Sequence, residues 1–207
     1  MFTISRARKR AIHVAPSTYR RSCGRLREDH SVMSKYVENI LQQKVRLLDT
    51  VTDIDYSRSH NAFFGSSIGG HIRHSLDHYT KLFTCVENIS TDKSSIVHYD
   101  SRNRQTPVEN NRLVAIEVIH DTIQRLRFIL QRSSLESQVK VEFVGDPVKG
   151  HVFIADSTIA RELAFVAHHG THHLSTVKLM MERMGYSVSD DVGVAPSTAN
   201  FKSKHNA

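Results

Sequence analysis

The sequence predicts an all-α fold: a four-helix bundle with a long crossover between the second and third helices and a small β-hairpin before the fourth. Three observations carry this. Four stretches, each of about twenty residues or more, repeat their apolar side chains at threes, fours and sevens, the period of a helix with one buried face. Capping residues and a helix-ending glycine punctuate these stretches. The one region of alternating pattern is short and framed by Gly and Pro, which suits a hairpin and not a sheet core.

The first helix begins at Ser31 and carries Met33, Val37, Ile40, Leu41, Leu48 and Val51 on one face. Asp53 to Gly65 breaks the period. Ser66 or Ser67 caps the second helix, which runs to about Asn88 and buries Ile68, Ile72, Leu76, Tyr79, Phe83 and Val86. A polar loop, residues 90–105, follows. Its Tyr99, Asp100, Arg102 and Arg104 have two readings, as anion contacts or as parts of a solvated crossover, and the second is favoured. Thr106-Pro107-Val108-Glu109 has the form of a capping box with Pro at the first helical position. The third helix then extends to about Gln131 and buries Ile116, Ile119, Ile123, Leu126 and Leu130. Gln138–Val144 and His151–Ile154 form the hairpin. Asp156 or Ser157 caps the last helix and Gly185 ends it. Beyond Tyr186 the helical signal is lost, and partial order at best is expected, with packing near the metal-binding end as an option. The expected organisation is therefore a basic leader (1–27), the bundle (31–185) and a tail (186–207).

Length and composition fit one domain with tails, and no run approaches a membrane span. The formal charge of +7 is uneven. Residues 1–27 hold eight basic side chains (Arg6, Arg8, Lys9, Arg10, Arg20, Arg21, Arg25 and Arg27) and no acid, and taking those eight from +7 leaves the remainder at −1. The body has no basic face for nucleic acid. The leader is rich in Arg, Ser and Thr, which resembles a mitochondrial transit peptide; the alternative is a basic tail in a cytoplasmic protein. Two cysteines, Cys23 and Cys85, make no disulfide framework and suit a reducing compartment. No internal repeat, nucleophile elbow or phosphate-cradling glycine loop is present; Gly69-Gly70 lacks the strand–loop–helix setting.

Half of the fourteen histidines fall in two short segments. In Val166–Val177 they form two pairs at i, i+4, His168/His172 and His169/His173. Residues so spaced lie one above the other on a helix and can share a metal ion. The apolar stripe through Ile159, Leu163, Val166, Val177, Met180 and Met184 puts His169 and His173 at its edge, with His168 and His172 on the polar side. A lone pair of this kind is more often a surface or packed feature, but a second cluster raises the odds. On the second helix His71, His74 and His78 share a face. Three imidazoles with open positions are the arrangement of catalytic metal sites.

The pattern Ser67-Ile68-Gly69 followed by His74, and late in the chain His169 and His173, resembles the DinB-like superfamily. That group includes bacillithiol transferases, the mycothiol-dependent isomerase domain, and the amino-terminal domains of ergothioneine- and ovothiol-synthesising enzymes. The resemblance covers about residues 31–185. It implies a four-helix bundle and a metal site made by His74, His169 and His173. Periodicity alone places His71 and His78 nearer the apolar face than His74, so both remain alternatives.

Three neutral imidazoles leave a divalent ion (zinc, nickel or iron) with positions for water or a thiol, either of which it holds as the stronger, deprotonated nucleophile. Asp77 and Glu162 have two equal readings, as carboxylates that orient ligand rings or as surface charges on bundle helices. The resemblance implies a metal-dependent thiol transferase or hydrolase acting on a small molecule; a non-catalytic metal-binding bundle is the competing class. A low-molecular-weight thiol is among the expected partners, nucleic acid and membrane are not, and a homodimer is left open. A fluorescent fusion of the whole chain is expected to enter mitochondria and to lose entry when residues 1–27 are removed; cytosolic distribution of both fusions would exclude a transit peptide.

Overall fold

The computed structural model describes residues 23–59, 65–89, 96–101 and 106–205, with side chains from residue 30 onward. The protein is mostly helical. The described elements are α1 (Cys23–Thr50), α2 (Asp53–Ser57), α3 (Ile68–Ile89), β1 (Ile96–His98), α4 (Pro107–Asn110), α5 (Arg112–Arg132), β2 (Gln138–Asp146), β3 (His151–Thr158), α6 (Ile159–Arg183) and α7 (Pro196–His205). The four long helices share one core. Helices α1 and α3 each pack on both α5 and α6. Their apolar stripes meet there: Val37, Leu41 and Leu48 from α1, Tyr79, Leu82 and Phe83 from α3, Ile119 and Leu126 from α5, and Leu163, Val166 and Val177 from α6.

Several boundaries differ from expectation, each for a local reason. Helix α1 starts eight residues before Ser31, at Cys23, because helix continues past the point where apolar periodicity begins. The leader before it, residues 1–22, lies outside the described residues. The break after α1 contains a further short helix, α2, capped by Thr52, whose hydroxyl accepts from Asp55 N–H. Thr106 makes no side-chain cap bond. The helix beginning at Pro107 stops at Asn110, and Asn111 caps α5 by accepting from Leu113 and Val114 N–H. An Asx acceptor two or three residues before free N–H groups thus prevails over the capping-box pattern. At the last helix neither Asp156 nor Ser157 is the cap. Both belong to β3, and Thr158 accepts from Arg161 N–H. Gly185 does end the helix: its φ of +90° is open to glycine, and Tyr186 N–H donates back to Met181 O at 3.0 Å.

The hairpin forms with Val141 opposite Ala155 and Phe143 opposite Phe153. The loop after α3 also contributes a strand: β1 pairs parallel to β2, Val97 beside Val141. The result is a three-stranded mixed sheet in the order β1-β2-β3. The cause is apolar: Val97, Val139 and Val141 bury together as one patch against the helices. The tail is likewise more structured than expected. It carries α7 and is tied to the body by Gly193 N–H donating to Gln43 Oε1 (3.0 Å) and by Ser175 Oγ donating to Gly193 O.

The paired glycines at the start of α3 are packing positions. A side chain on Gly69 would meet Glu109 O and, at 2.9 Å, Tyr56 Cε1; one on Gly70 would meet Ser66 Oγ. Gly69 therefore lets the α4 backbone rest directly on α3. Gly69→Ala is expected to lower stability in urea unfolding by about 1–3 kcal/mol through overpacking, against a helix-propensity gain of up to ~1 kcal/mol; a stabilised variant would remove this account.

Candidate metal centre

Helices α3 and α6 face each other across the cluster. On α3 the residues at i, i+3 and i+7 of one row are His71, His74 and His78; on α6 the i, i+4 pair is His169 and His173. All five rings meet in one seam. His169 Nε2 lies 3.2 Å from His74 Nε2 and 3.1 Å from His173 Nε2. His78 sits beside them, its ring centroid 4.1 Å from that of His169 and 4.8 Å from that of His74. His71 Nδ1 lies 3.1 Å from His173 Nδ1. His168 and His172 are exposed, whereas His173 and His78 are only 8% and 7% exposed.

The three residues singled out in the sequence, His74, His169 and His173, are thus brought together. The alternatives are there too: ring nitrogens of His74, His78 and His169 all lie within 4.8 Å of one another, a group able to hold a metal ion. His78 Nδ1 donates to His74 O at 3.0 Å, which fixes its tautomer and leaves Nε2 as the ligating nitrogen.

The donor set fits a metal. Two nitrogens bound tetrahedrally at ~2.0–2.1 Å stand roughly 3.3 Å apart, close to the observed 3.1 and 3.2 Å. The environment favours the neutral, ligating form of His169 and His173. Burial, reinforced by neighbouring imidazoles, pushes His169 down to about 3 and His173 down to about 2, and burial lowers His71 as well.

Aromatic side chains wall the cluster. Tyr99 stacks on His78 (centroids 5.1 Å apart, 18° between planes) and Phe165 on His169 (5.9 Å, 20°). Tyr99 Oη donates to Glu162 Oε2 at 2.8 Å, and Ser157 Oγ and Arg161 Nη1 donate to Glu162 Oε1 at 2.5 and 2.7 Å. Glu162 is fully buried, and its burial-compensating donors hold the Tyr99 ring against His78. The carboxylate therefore positions the His78 ring through Tyr99. Asp77 is engaged by Arg73 Nη1 at 2.6 Å. Of the crossover residues, Tyr99 is thus part of the wall, Asp100 accepts from Val144 N–H at 3.0 Å, and Arg102 and Arg104 lie outside the described residues. Cys85 is buried, and burial with the nearby Glu162 pushes its thiol up to about 11, so it offers no ready nucleophile.

Two features of the site were not read from the sequence. Phe165 appeared as an unremarked aromatic. Lys44 was passed over, although it stands in the spacing Val37, Leu41, Lys44, Leu48 of the α1 apolar stripe. It is 0% exposed, and its Nζ comes 3.2 Å from the point where a side chain on Gly170 would begin, next to His169. A cavity of about 790 Å³ lies elsewhere, lined by Met33, Tyr36, Leu135, His168 and Pro196 and by none of the five clustered histidines.

Among known proteins, no family model and no solved structure matches the chain. It is similar to a protein named FK506-binding protein 5 from Rhizopus delemar, with 30% identity over 128 residues, 55% of this chain and 33% of that protein. The chain spans about a third of the length of this curated relative.

The depressed histidines set a pH dependence for the metal-free fold. The unfolded chain takes up protons near the ordinary imidazole value of about 6.5, and the folded one does so only far below it. The stability they contribute is complete above about 6.5 and is lost as pH falls from there toward 3. Urea midpoints of chelator-treated protein are expected to fall between about pH 7.5 and about pH 5.5, less steeply in His173→Asn; an identical slope in the variant would contradict the assignment.

Proposed function

We propose that the chain is a metal-binding protein of the DinB-like kind, a four-helix bundle of α1, α3, α5 and α6 in which His74, His169 and His173 hold a divalent ion. One observation carries the reading: His169 Nε2 stands 3.2 Å from His74 Nε2 and 3.1 Å from His173 Nε2, each pair at the separation of two ligands on one ion. An all-imidazole donor set suits zinc, nickel or iron. His78, in place of His173, is the specific competitor, because its Nε2 is presented by the bond from Nδ1 to His74 O.

An ion held there supplies a Lewis acid that keeps a thiol or water in its nucleophilic form. The surrounding residues do the rest. Glu162 and Tyr99 lock one ring of the cluster in place, and Phe165 shields another from water. The absence of a ready thiol at Cys85 accords with a nucleophile brought in by the substrate, so thiol transfer between small molecules is the activity proposed, ahead of hydrolysis. The name of the Rhizopus delemar relative belongs to a protein of which 33% is matched, and nothing in the site favours transferring it.

The test is zinc affinity by competition with a chromogenic chelator. Replacing His74, His169 or His173 with Ala is expected to weaken zinc binding roughly a hundredfold or more each, since a structural zinc site shares ~10–16 kcal/mol among four ligands. His168→Ala and His172→Ala are expected to leave it unchanged. Loss on His78→Ala with retention in His173→Ala would move the third ligand to His78; retention in both His169→Ala and His74→Ala would end the metal reading. Activity on thiol–electrophile pairs, with and without metal, then separates transferase from hydrolase and from a silent bundle.

A further inference from the structure

Lys44 is the anomaly of the interior. Its ammonium is fully buried between α1, α3 and α6, and Nζ has no hydrogen-bonding partner among the described residues. Among the described residues no carboxylate forms an ion pair with it. Burial is the one influence acting on it, and pushes it down to about 7. The other polar atoms around it are hydroxyls in the same position. Tyr79 Oη comes 3.1 Å from the point beside Gly170 that Lys44 Nζ approaches at 3.2 Å. Tyr79 Oη, Ser75 Oγ one turn earlier on α3, and Tyr36 Oη on α1 are all buried and unpartnered. Charged side chains on the neighbouring helices α3 and α6 have partners of their own: Arg73 has Asp77 and Glu109, and Glu162 has Arg161. What remains is an ammonium with no anionic partner among the described residues, beside hydroxyls that have no hydrogen-bonding partner. Leaving such groups dry and unpaired is among the most unfavourable arrangements in a protein interior, and an unfilled set of this kind calls for a bound ion, water or ligand.

We infer that Lys44 Nζ and Tyr79 Oη, with Ser75 Oγ, form an inner subsite that takes a small monovalent anion of carboxylate size, directly behind the histidine cluster. Gly170 makes it feasible. A side chain there would press on Lys44 Nζ, Tyr79 Oη and Ile40 Cγ2, so glycine in mid-helix, otherwise unfavourable, leaves room for both donors. Gly170 directly follows His169 on α6, so the tips of Lys44 and Tyr79 lie beside the turn that carries this histidine. As a substrate subsite this rests on the metal-site reading, and it names the substrate class: a small molecule bearing a carboxylate, its anionic end on Lys44 and its reacting end at the histidines. Neutral imidazoles leave a divalent ion's charge uncompensated, and an anionic ligand supplies the compensation.

The probes are sodium formate, as a carboxylate, and sodium chloride, as a free inorganic anion. Thermal unfolding is followed as each is titrated into the full chain, metal-free and zinc-loaded, for the wild type, Lys44→Met and Tyr79→Phe. The wild-type midpoint is expected to rise with formate. Lys44→Met, which removes an unpaired buried charge while keeping its volume, is expected to start higher and to lose apparent formate affinity at least tenfold; Tyr79→Phe loses it several-fold. A response to formate alone assigns the subsite to a ligand carboxylate, and an equal response to chloride assigns it to a free anion. No anion response in the wild type beyond that of Lys44→Met overturns the proposal. Zinc affinity on the same samples separates the two readings. A wild type that takes zinc but ignores both anions sinks the subsite alone, and one that responds to formate but takes no zinc sinks the metal centre alone.

Discussion

Five imidazoles share one seam between α3 and α6, and each is a polar ring taken largely out of water. Much of the local structure answers to that constraint. Rings so close cannot all be charged, so the buried ones stay neutral. Neutral rings need defined tautomers, and the seam provides them through ring-to-ring contacts and through the bond from His78 to the α3 backbone. The facing rows demand that two helices lie side by side at one depth, which is why apolar residues from all four long helices gather behind them.

The support is layered. Glu162, buried on α6, gathers Tyr99, Ser157 and Arg161, and so fastens the segment after β1 and the end of β3 to the helix that carries two of the histidines. The three-stranded sheet thereby acts as a brace on the wall of the cluster. On the other side, α1 contributes Lys44 where its stripe would ordinarily carry an aliphatic residue. A polar layer between two apolar ones is stable only if its donors and acceptors are paired, and here Lys44 Nζ, Ser75 Oγ and Tyr79 Oη have no partner among the described residues.

Much of this was legible in the residues themselves. The four long helices follow from apolar spacing, and the choice of His169 and His173 over His168 and His172 follows from the edge of one stripe. The misses have physical causes. Helix caps depend on which side chain reaches which N–H, and Asn111 and Thr158 each lie a few residues from the positions that pattern alone suggested. Strand β1 is three residues long, too short for alternation to show, and exists because β2 offers it a buried edge. Gly69 and Gly170 look alike as helix glycines; only the neighbour each one admits, a carbonyl in one case and two polar side-chain tips in the other, tells them apart. Lys44 was readable, since a lysine at the seventh-residue spacing of a buried stripe contradicts the stripe.

The cluster is also non-local in the extreme. His74 and His169 stand 95 positions apart, and His71 and His173 stand 102 apart. Closing a chain segment of that length costs roughly 4 kcal/mol in entropy before any contact is made, so the seam exists only where the packing of α3 on α6 outweighs that cost. A nascent chain that has made α3 but not yet α6 holds half of the seam and none of its geometry. A ligand that needs histidines from both helices binds the folded protein more tightly than the unfolded one, and by mass action that difference is added to the stability of every element at once.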